Sequence, residues 1–291
     1  MTYDLYIGDR TFSSWSLRGW LMFEKFDLPF RTHLLGLYSG TLKADLSSLS
    51  PARTVPVAVT PEGSILTDSI AIAETLVENH PDKPFYPSNP KARGLARSMV
   101  AEMHSGFLAL REACPMMLAH SWEEADLPPA VIADVKRIEE LWQAARDLRT
   151  TDGPWLFGSF SLADAFYAPV ATRFATYAVP VGPTADIYVR TVLADPAFRR
   201  WRAMGQTVTY DPMPYRIAAN PVGWPGPKPL PAEPIESGDP INTTCPFSGK
   251  AITHLAKIDG SILGFCNAFC RDKTVFDPMA WTNVAAFLDA R

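Results

Sequence analysis

The order of short strands and helices in the first 80 residues limits the fold of this 291-residue chain more than any other feature. Apolar residues alternate in some segments, as in strands, and recur every three or four residues in others, as in helices. Turn residues such as Pro61 and Gly63 separate the segments. The predicted elements are a strand over 3–8, a helix over 16–26, a strand near 30–35, a helix or loop near 39–49, strands over 55–59 and 64–66, and a helix over 70–80. This βαβαββα order predicts a small mixed sheet.

The rest of the chain follows different patterns. Residues 91–113 and 129–150 have apolar positions three and four residues apart, as in amphipathic helices. Residues 220–243 are so rich in Pro and Gly that we predict neither helix nor sheet there, because proline fixes φ and removes donors. The predicted parts are an α/β domain over 1–83, an all-helical domain over 90–219, an extended linker over 220–243 and a small unit over 244–291.

Composition and charge exclude several classes of function. The formal net charge is −4, so the basic footprint of a nucleic-acid-binding protein is missing. No apolar run approaches the ~18 residues that suggest a membrane span, and no signal-peptide pattern opens the chain. We therefore expect a cytoplasmic protein with neither nucleic acid nor membrane as partner. Three of its four cysteines lie near the C-terminus at metal-like spacing, which favours coordination over disulfides in a reducing compartment.

Three serines lie where the first predicted strand turns into the first predicted helix, in the stretch TFSSWSLR. Serine is a favoured helix N-cap, because its hydroxyl accepts from an unpaired backbone N–H. A hydroxyl at a helix N-terminus also lies at the positive end of the helix dipole, where it can stabilise an anion such as a thiolate. Both roles are open for Ser13 and Ser14.

Two further motifs suit ligand binding, although each also has an ordinary structural explanation. A cis bond between Val55 and Pro56 turns backbone groups outward, where a peptide-like ligand can pair with them; an edge-strand proline is the alternative. Asp68 and Ser69 open a helix, where they either hold a carboxylate together with the helix amides or simply cap the helix.

In their combination and order, these features resemble the cytosolic glutathione transferase family over about residues 1–218. SSWSLR is similar to the SSCSWR-type signature of the zeta class, the maleylacetoacetate isomerase branch, with Trp15 in place of its cysteine. The resemblance implies a thioredoxin-like domain followed by an all-α domain, in a homodimer that binds glutathione. It also implies an enzyme that activates glutathione as a thiolate for conjugation or isomerisation of a small electrophile.

The resemblance assigns a role to each motif. Ser13 or Ser14 donates to the glutathione sulfur and favours its thiolate, with Tyr6 as a third candidate. The residues implied to hold glutathione are Val55 and a cis Pro56, which pair with the cysteinyl backbone, and Asp68 and Ser69, which hold the γ-glutamyl end.

The small C-terminal unit has the most specific spacing in the sequence: Cys245, twenty residues, Cys266, three residues, Cys270. Two cysteines four apart at the start of a helix point the same way, and a distant third can complete three corners of a tetrahedron. A unit this small rarely folds without a staple, and a metal can supply the folding energy. Three buried free cysteines are the alternative.

The same spacing resembles the TRASH/YHS family of small treble-clef modules, which implies a Cys-rich α+β metal module. Zinc is the default metal, with copper(I) or iron as other candidates. Ser248 stands where a Cys-x-x-Cys knuckle has its second cysteine, so the fourth ligand is His254, Asp277 or water. A second function therefore stays open: a non-catalytic protein of the transferase fold, whose zinc module mediates protein contact or metal sensing.

Overall fold

The computed structural model describes residues 2–123, 127–208 and 220–289. The end of the predicted helical domain, 209–219, lies outside these ranges. No helix within them is both long and apolar enough to span a bilayer. The chain divides into two compact units: unit 1 is Met1–Leu193 with Pro212–Pro225, and unit 2 is Ala194–Asp211 with Gly226–Arg291.

Unit 1 begins with a mixed four-stranded sheet in the order β2-β1-β3-β4. Strands β1 and β2 are parallel, and the other two pairs are antiparallel. The elements are β1 (Tyr3–Ile7), α1 (Ser14–Glu24), β2 (Phe30–Leu34), α2 (Leu42–Asp45) with a 3₁₀ turn (Ser47–Leu49), β3 (Val57–Val59), β4 (Ile65–Leu66) and α3 (Ser69–Asn79). The predicted βαβαββα order is confirmed.

Helix α1 lies close to the loop that carries Pro56, and Gly19 makes this approach possible. A Cβ atom at Gly19 would lie only 2.9 Å from the Cβ atom of Pro56. Real Cβ atoms essentially never come this close to another heavy atom, so any larger residue must displace the loop. On either side of Gly19, the apolar residues Leu17 and Leu21 are buried. The absence of a side chain at Gly19 thus allows the loop that carries Pro56 to pack directly on α1.

The helical part of unit 1 contains α4 (Pro90–Ser105), α5 (Leu108–Ala113), β5 (Ser121–Trp122), α6 (Pro129–Asp147), α7 (Leu162–Thr176) and α8 (Pro183–Ala194). The apolar period continues throughout residues 91–113, but the helix itself is interrupted after Ser105. Phe107 has φ 56°, in the left-handed region, and this breaks the helix between α4 and α5. The start of α7 is fixed by Asp164, which accepts from the backbone N–H groups of Ser161 and Leu156.

Unit 2 contains α9 (Pro196–Gly205), a sheet in the order β7-β8-β9, and two C-terminal helices. Its sheet is antiparallel throughout. The remaining elements are β7 (Ala232–Ile235), β8 (His254–Ile258), β9 (Ser261–Phe265), α10 (Ala268–Phe276), a 3₁₀ turn (Pro278–Ala280) and α11 (Thr282–Asp289). Cys245 and Cys270 belong to an apolar core that also contains Phe265, Trp281 and, from α9, Ala203.

The prediction that residues 220–243 form neither helix nor sheet is wrong. Strand β6 (Pro221–Val222) pairs with β5, and β7 pairs with β8. Strand β7 contains Pro234, which has no N–H to donate. Because β7 is an edge strand of the three-stranded sheet, a missing donor on its outer side costs no hydrogen bond. The extended backbone that proline favours is therefore used here as a sheet edge.

Candidate functional site

A cavity of about 270 Å³ in unit 1 brings together all four residues that were implied to hold glutathione. The Val55–Pro56 peptide bond is cis. The walls come from the first turn of α1, the loop before β3, the start of α3 and the last turn of α4. The lining residues are Trp15, Thr54, Val55, Pro56, Thr67, Asp68, Ser69 and His104.

Asp68 is the N-cap of α3 and faces the cavity at the same time. Its Oδ1 atom accepts from the backbone N–H groups of Ile70, at 2.7 Å, and Ala71, at 3.4 Å. The other carboxylate oxygen, Oδ2, is 3.5 Å from Nε2 of His104. The two explanations of this motif are thus compatible, since one oxygen caps the helix while the other remains on the cavity side.

Sequence reasoning missed His104, which comes from the end of α4. Its Nδ1 atom lies 3.3 Å from the Ser69 hydroxyl, so both ring nitrogens face the Asp68–Ser69 pair. The Trp15 ring contacts its ring edge to face, with centroids 5.2 Å apart. A lone histidine 35 residues from its partners carries no spacing signal, so only the packing of α4 shows this contact.

Ser13 and Ser14 do not line this cavity, and both side chains are buried. Ser13 is the N-cap residue of α1, but its hydroxyl makes no capping hydrogen bond. It donates instead to the Ser16 hydroxyl at 2.7 Å, which in turn accepts from the backbone N–H of Gly8. The Ser14 hydroxyl accepts from Nη2 of Arg173 at 3.4 Å.

Tyr6, the third candidate for thiol activation, is also absent from the cavity lining. Its ring stacks on His33 of β2, with centroids 4.4 Å apart and planes at 16°. It packs against a small apolar cluster that contains Leu46, Leu49 and Val57. These contacts agree with the alternative explanation, in which Tyr6 is a strand aromatic that packs in the core.

Behind Trp15 lies a group of arginines that the sequence did not reveal as a group. Arg18 is 0% exposed, and its guanidinium carbon is 4.1 Å from the centroid of the Trp15 ring. Its Nε donates to the carbonyl of Phe166, while Nη1 and Nη2 have no hydrogen-bond partner among the described residues. Arg111 lies 4.9 Å from the same ring.

The electrostatics of this group favour a negative ligand. Burial, followed by the charges of Arg173 and Arg111, holds the pKa of Arg18 well below its usual range. Within the described ranges, the ion pairs of unit 1 include none between Arg18 and a carboxylate. A bound anion close to Trp15 is therefore stabilised by nearby positive charge.

A second group of chemically active side chains lies in unit 2. The three sulfur atoms of Cys245, Cys266 and Cys270 lie within 4.8 Å of one another, and those of Cys266 and Cys270 are 4.0 Å apart. Cys266 follows β9 and precedes the helix, so the expectation that both close cysteines open a helix is wrong for Cys266. Cys270 lies in the first turn of α10, where its N–H donates to the N-cap Asn267.

Hydrogen bonds favour the thiolate form of Cys245, which is the form that binds a metal. Burial raises the pKa of Cys245, but N–H groups of Phe247 and Cys266 and the Ser248 hydroxyl outweigh this and lower the pKa to about 7. Burial raises the pKa of Cys270 to about 12, against the effect of the Lys273 charge. Thiolates are soft ligands that suit zinc and copper(I), so the donor set fits such an ion.

Neither protein side chain suggested as a fourth ligand joins the three sulfurs in the described part of the chain. Asp277 forms a two-point ion pair with Arg199, with distances of 2.8 and 2.6 Å. The Nδ1 atom of His254 is 2.8 Å from the hydroxyl of Thr253. Of the three suggestions, water is the one that these contacts leave open.

Comparison with known proteins gives two matching family models. The model for the glutathione S-transferase N-terminal domain matches residues 12–79, and the model for the C-terminal domain matches residues 106–203. A probable maleylacetoacetate isomerase from Caenorhabditis elegans is 34% identical over 119 residues, which cover 41% of this chain and 54% of the relative. Maleylacetoacetate isomerase from Dictyostelium discoideum is 33% identical over 97 residues, or 33% of this chain and 44% of the relative. The chain spans about half the length of these curated relatives.

Solved structures share the fold. A glutathione transferase homologue from Burkholderia, solved with bound glutathione, has a TM-score of 0.53 at 23% identity and covers 72% of this chain and 100% of its own. A glutathione transferase from Methylococcus capsulatus has a TM-score of 0.52 at 19% identity, covering 71% and 100%. The two family models together span more than half of the sequence, and the chain belongs to the glutathione S-transferase family.

Proposed function

We propose that this protein activates glutathione as a thiolate for conjugation or isomerisation of a small electrophile. The observation that carries the proposal is the single cavity that unites Val55, the cis Pro56, Asp68 and Ser69. The γ-glutamyl carboxylate of glutathione binds at the start of α3, where the Ser69 hydroxyl and the helix dipole favour a negative charge. The γ-glutamyl ammonium pairs with Asp68, and the backbone of Val55 pairs with the cysteinyl part.

Neither serine lines the cavity, so the choice between them rests on their hydrogen bonds, which favour Ser14, the neighbour of the lining residue Trp15, as the group that activates the thiol. The Ser13 hydroxyl already donates to Ser16. The Ser14 hydroxyl accepts from Arg173, which leaves its own hydrogen available for a sulfur atom. The nearby Arg173 charge adds to the stabilisation of a thiolate, because a positive neighbour lowers the pKa of a thiol.

The arginines behind Trp15 support an electrophile that carries a negative charge. Arg18, Arg111 and Arg173 concentrate positive charge beside the cavity wall, and Arg18 offers two buried guanidinium nitrogens. The curated relatives are named as maleylacetoacetate isomerases, whose name describes a substrate with an acid group. We therefore propose a carboxylate-bearing electrophile, with isomerisation or addition as the reaction type.

The pKa of the thiol in bound glutathione tests the mechanism. It is read from the ultraviolet absorbance of the thiolate against pH in the wild type, Ser13→Ala and Ser14→Ala. We expect the wild type to lower this pKa from the ordinary thiol value of about 8.5, Ser13→Ala to keep the shift and Ser14→Ala to lose it. Failure of the wild type to bind glutathione, or an unshifted thiol, overturns the proposal.

A second function rests on the three cysteines of unit 2. We propose that Cys245, Cys266 and Cys270 bind one zinc ion. The module that contains them consists of residues 244–291 together with strand β7, which pairs with β8. We propose that this module provides a protein contact or senses metal. The closeness of the three sulfurs supports this. Metal analysis of the purified protein tests it: we expect about one zinc per chain in the wild type and none after Cys266→Ser.

We further propose a homodimer, as the family resemblance implies. We also propose the domain bounds that the sequence indicates, 1–83 for the glutathione domain and 90–219 for the helical domain. Light scattering after size-exclusion chromatography measures the mass directly, and twice the 32.1 kDa of one chain is expected.

A further inference from the structure

Ser248 lies against the three-cysteine cluster. Its hydroxyl donates to the Cys266 sulfur at 3.2 Å. Cys245 and Cys270 are buried and Cys266 is half-buried, whereas Ser248 is exposed. The hydroxyl therefore lies on the solvent side of the cluster.

The distances around Ser248 approach those of a tetrahedral site. Zn–S bonds of about 2.3 Å give a spacing of about 3.8 Å between two sulfurs, and a Zn–O bond of about 2.1 Å gives about 3.6 Å between sulfur and oxygen. The observed values are 4.0 Å between the sulfurs of Cys266 and Cys270 and 3.2 Å from the Ser248 hydroxyl to Cys266. Each of these two distances is therefore within about 0.4 Å of its tetrahedral value.

The local backbone holds Ser248 in this place. The N–H of Gly249, which has φ 66°, donates to the carbonyl of Cys245 at 2.9 Å, and the Cys245 N–H donates to the carbonyl of Lys250. The Lys250 N–H also reaches the Ser248 hydroxyl, at 3.3 Å. The same turn thus carries Cys245 and Ser248, and both side chains lie close to the Cys266 sulfur.

We propose that Ser248 occupies the fourth position of the metal site, through its own hydroxyl or through a water molecule that it holds. This inference rests on the proposed metal binding by the three cysteines. An oxygen at this corner is a weaker ligand for a thiophilic ion than a fourth thiolate, and it faces solvent. The site therefore releases and exchanges its metal more readily than a closed four-cysteine site, which suits metal sensing better than a purely structural role.

Cobalt(II), which absorbs visibly in tetrahedral thiolate sites, is the probe. The full-length protein is stripped of metal under reducing conditions, loaded with Co²⁺ and compared with Ser248→Cys, Ser248→Ala and His254→Ala. We expect Ser248→Cys to gain sulfur-to-cobalt charge-transfer absorption and to release metal to a chelator at least about tenfold more slowly. Ser248→Ala should bind about tenfold more weakly, the lower end of the range for losing a neighbour of a metal ligand. His254→Ala should match the wild type.

The outcomes separate this inference from the metal proposal itself. A wild type that takes up no Co²⁺ overturns both. A wild type that binds Co²⁺, with a spectrum that changes in His254→Ala and not in Ser248→Cys, keeps the metal site and overturns the role of Ser248. Because Ser248 is exposed, both of its substitutions should leave the fold intact, and circular dichroism of each variant checks this.

Discussion

The cavity of unit 1 and the cysteine cluster of unit 2 are built in opposite ways. The cavity draws on residues from position 15 to position 104, and its polar groups are mostly caps and backbone of ordinary elements. The cluster uses three side chains within 26 residues, and two of them are part of the hydrophobic core. A site made of a few reactive side chains can be recognised from their spacing in the sequence, whereas a site formed by tertiary packing shows almost no such pattern.

The two sites also differ in what they contribute to folding. The residues of the cavity lie on elements that are already packed by large buried side chains such as Trp20 and Phe23 of α1. In unit 2, Cys245 and Cys270 fill core positions, and their sulfur atoms are the donors proposed for metal. We therefore expect the proposed ligand of unit 1 to bind to a finished fold and the proposed metal of unit 2 to be coupled to folding.

The largest expected effect is the loss of one sulfur from the cluster. Small structural zinc sites contribute apparent binding free energies of about 10–16 kcal/mol, so Cys270→Ser should abolish metal binding and loosen unit 2. Hydrogen exchange followed by mass spectrometry measures this peptide by peptide. We expect protection to fall in β8, β9 and α10 and to persist in the sheet and helices of unit 1.

Cys114→Ser is the matched control, because Cys114 is a buried cysteine of unit 1 whose pKa is raised by burial to about 11. It should leave the metal content and the exchange pattern of unit 2 unchanged. Equal protection of unit 2 in Cys270→Ser and in the wild type would contradict the coupling between metal and fold.

The sequence predicted the parts that depend on local chemistry. Strand alternation and turn residues placed the first seven elements, and Asp68 and Ser69 were found at a real helix start. The contacts of His104 with that pair, and of Arg111 with Trp15, depend on how α4 and α5 pack. Neither α4 nor α5 contains a motif for such contacts, because tertiary packing alone determines which face of a helix meets the cavity.

A smaller effect is expected at Gly19, where the fold supports the cavity from behind. In Gly19→Ala the new methyl group meets Pro56 at 2.9 Å, so the loop with the cis bond must move. Overpacking of this kind costs about 1–3 kcal/mol, and we expect glutathione to bind about tenfold more weakly by calorimetry.

Gly94→Ala provides the comparison, since Gly94 lies within α4 and a Cβ atom there meets nothing within 4 Å. It should stabilise the protein by up to about 1 kcal/mol, from helix propensity, without a change in glutathione affinity. If Gly19→Ala bound glutathione as tightly as Gly94→Ala, the cavity would not depend on the position of the Pro56 loop.

The smallest effect tests whether the cavity needs the helical part of unit 1 at all. His104→Ala removes both ring nitrogens from the Asp68–Ser69 pair, and a single hydrogen bond is typically worth about 0.5–1.5 kcal/mol. We expect glutathione to bind about three- to tenfold more weakly, with a smaller loss in His104→Gln, whose amide can still reach Ser69. His33→Gln is the control, because His33 pairs with Asp4 on the sheet and does not line the cavity. Equal losses in the His33 and His104 variants would mean a general effect on stability, and no loss in either would confine the glutathione site to the first 80 residues.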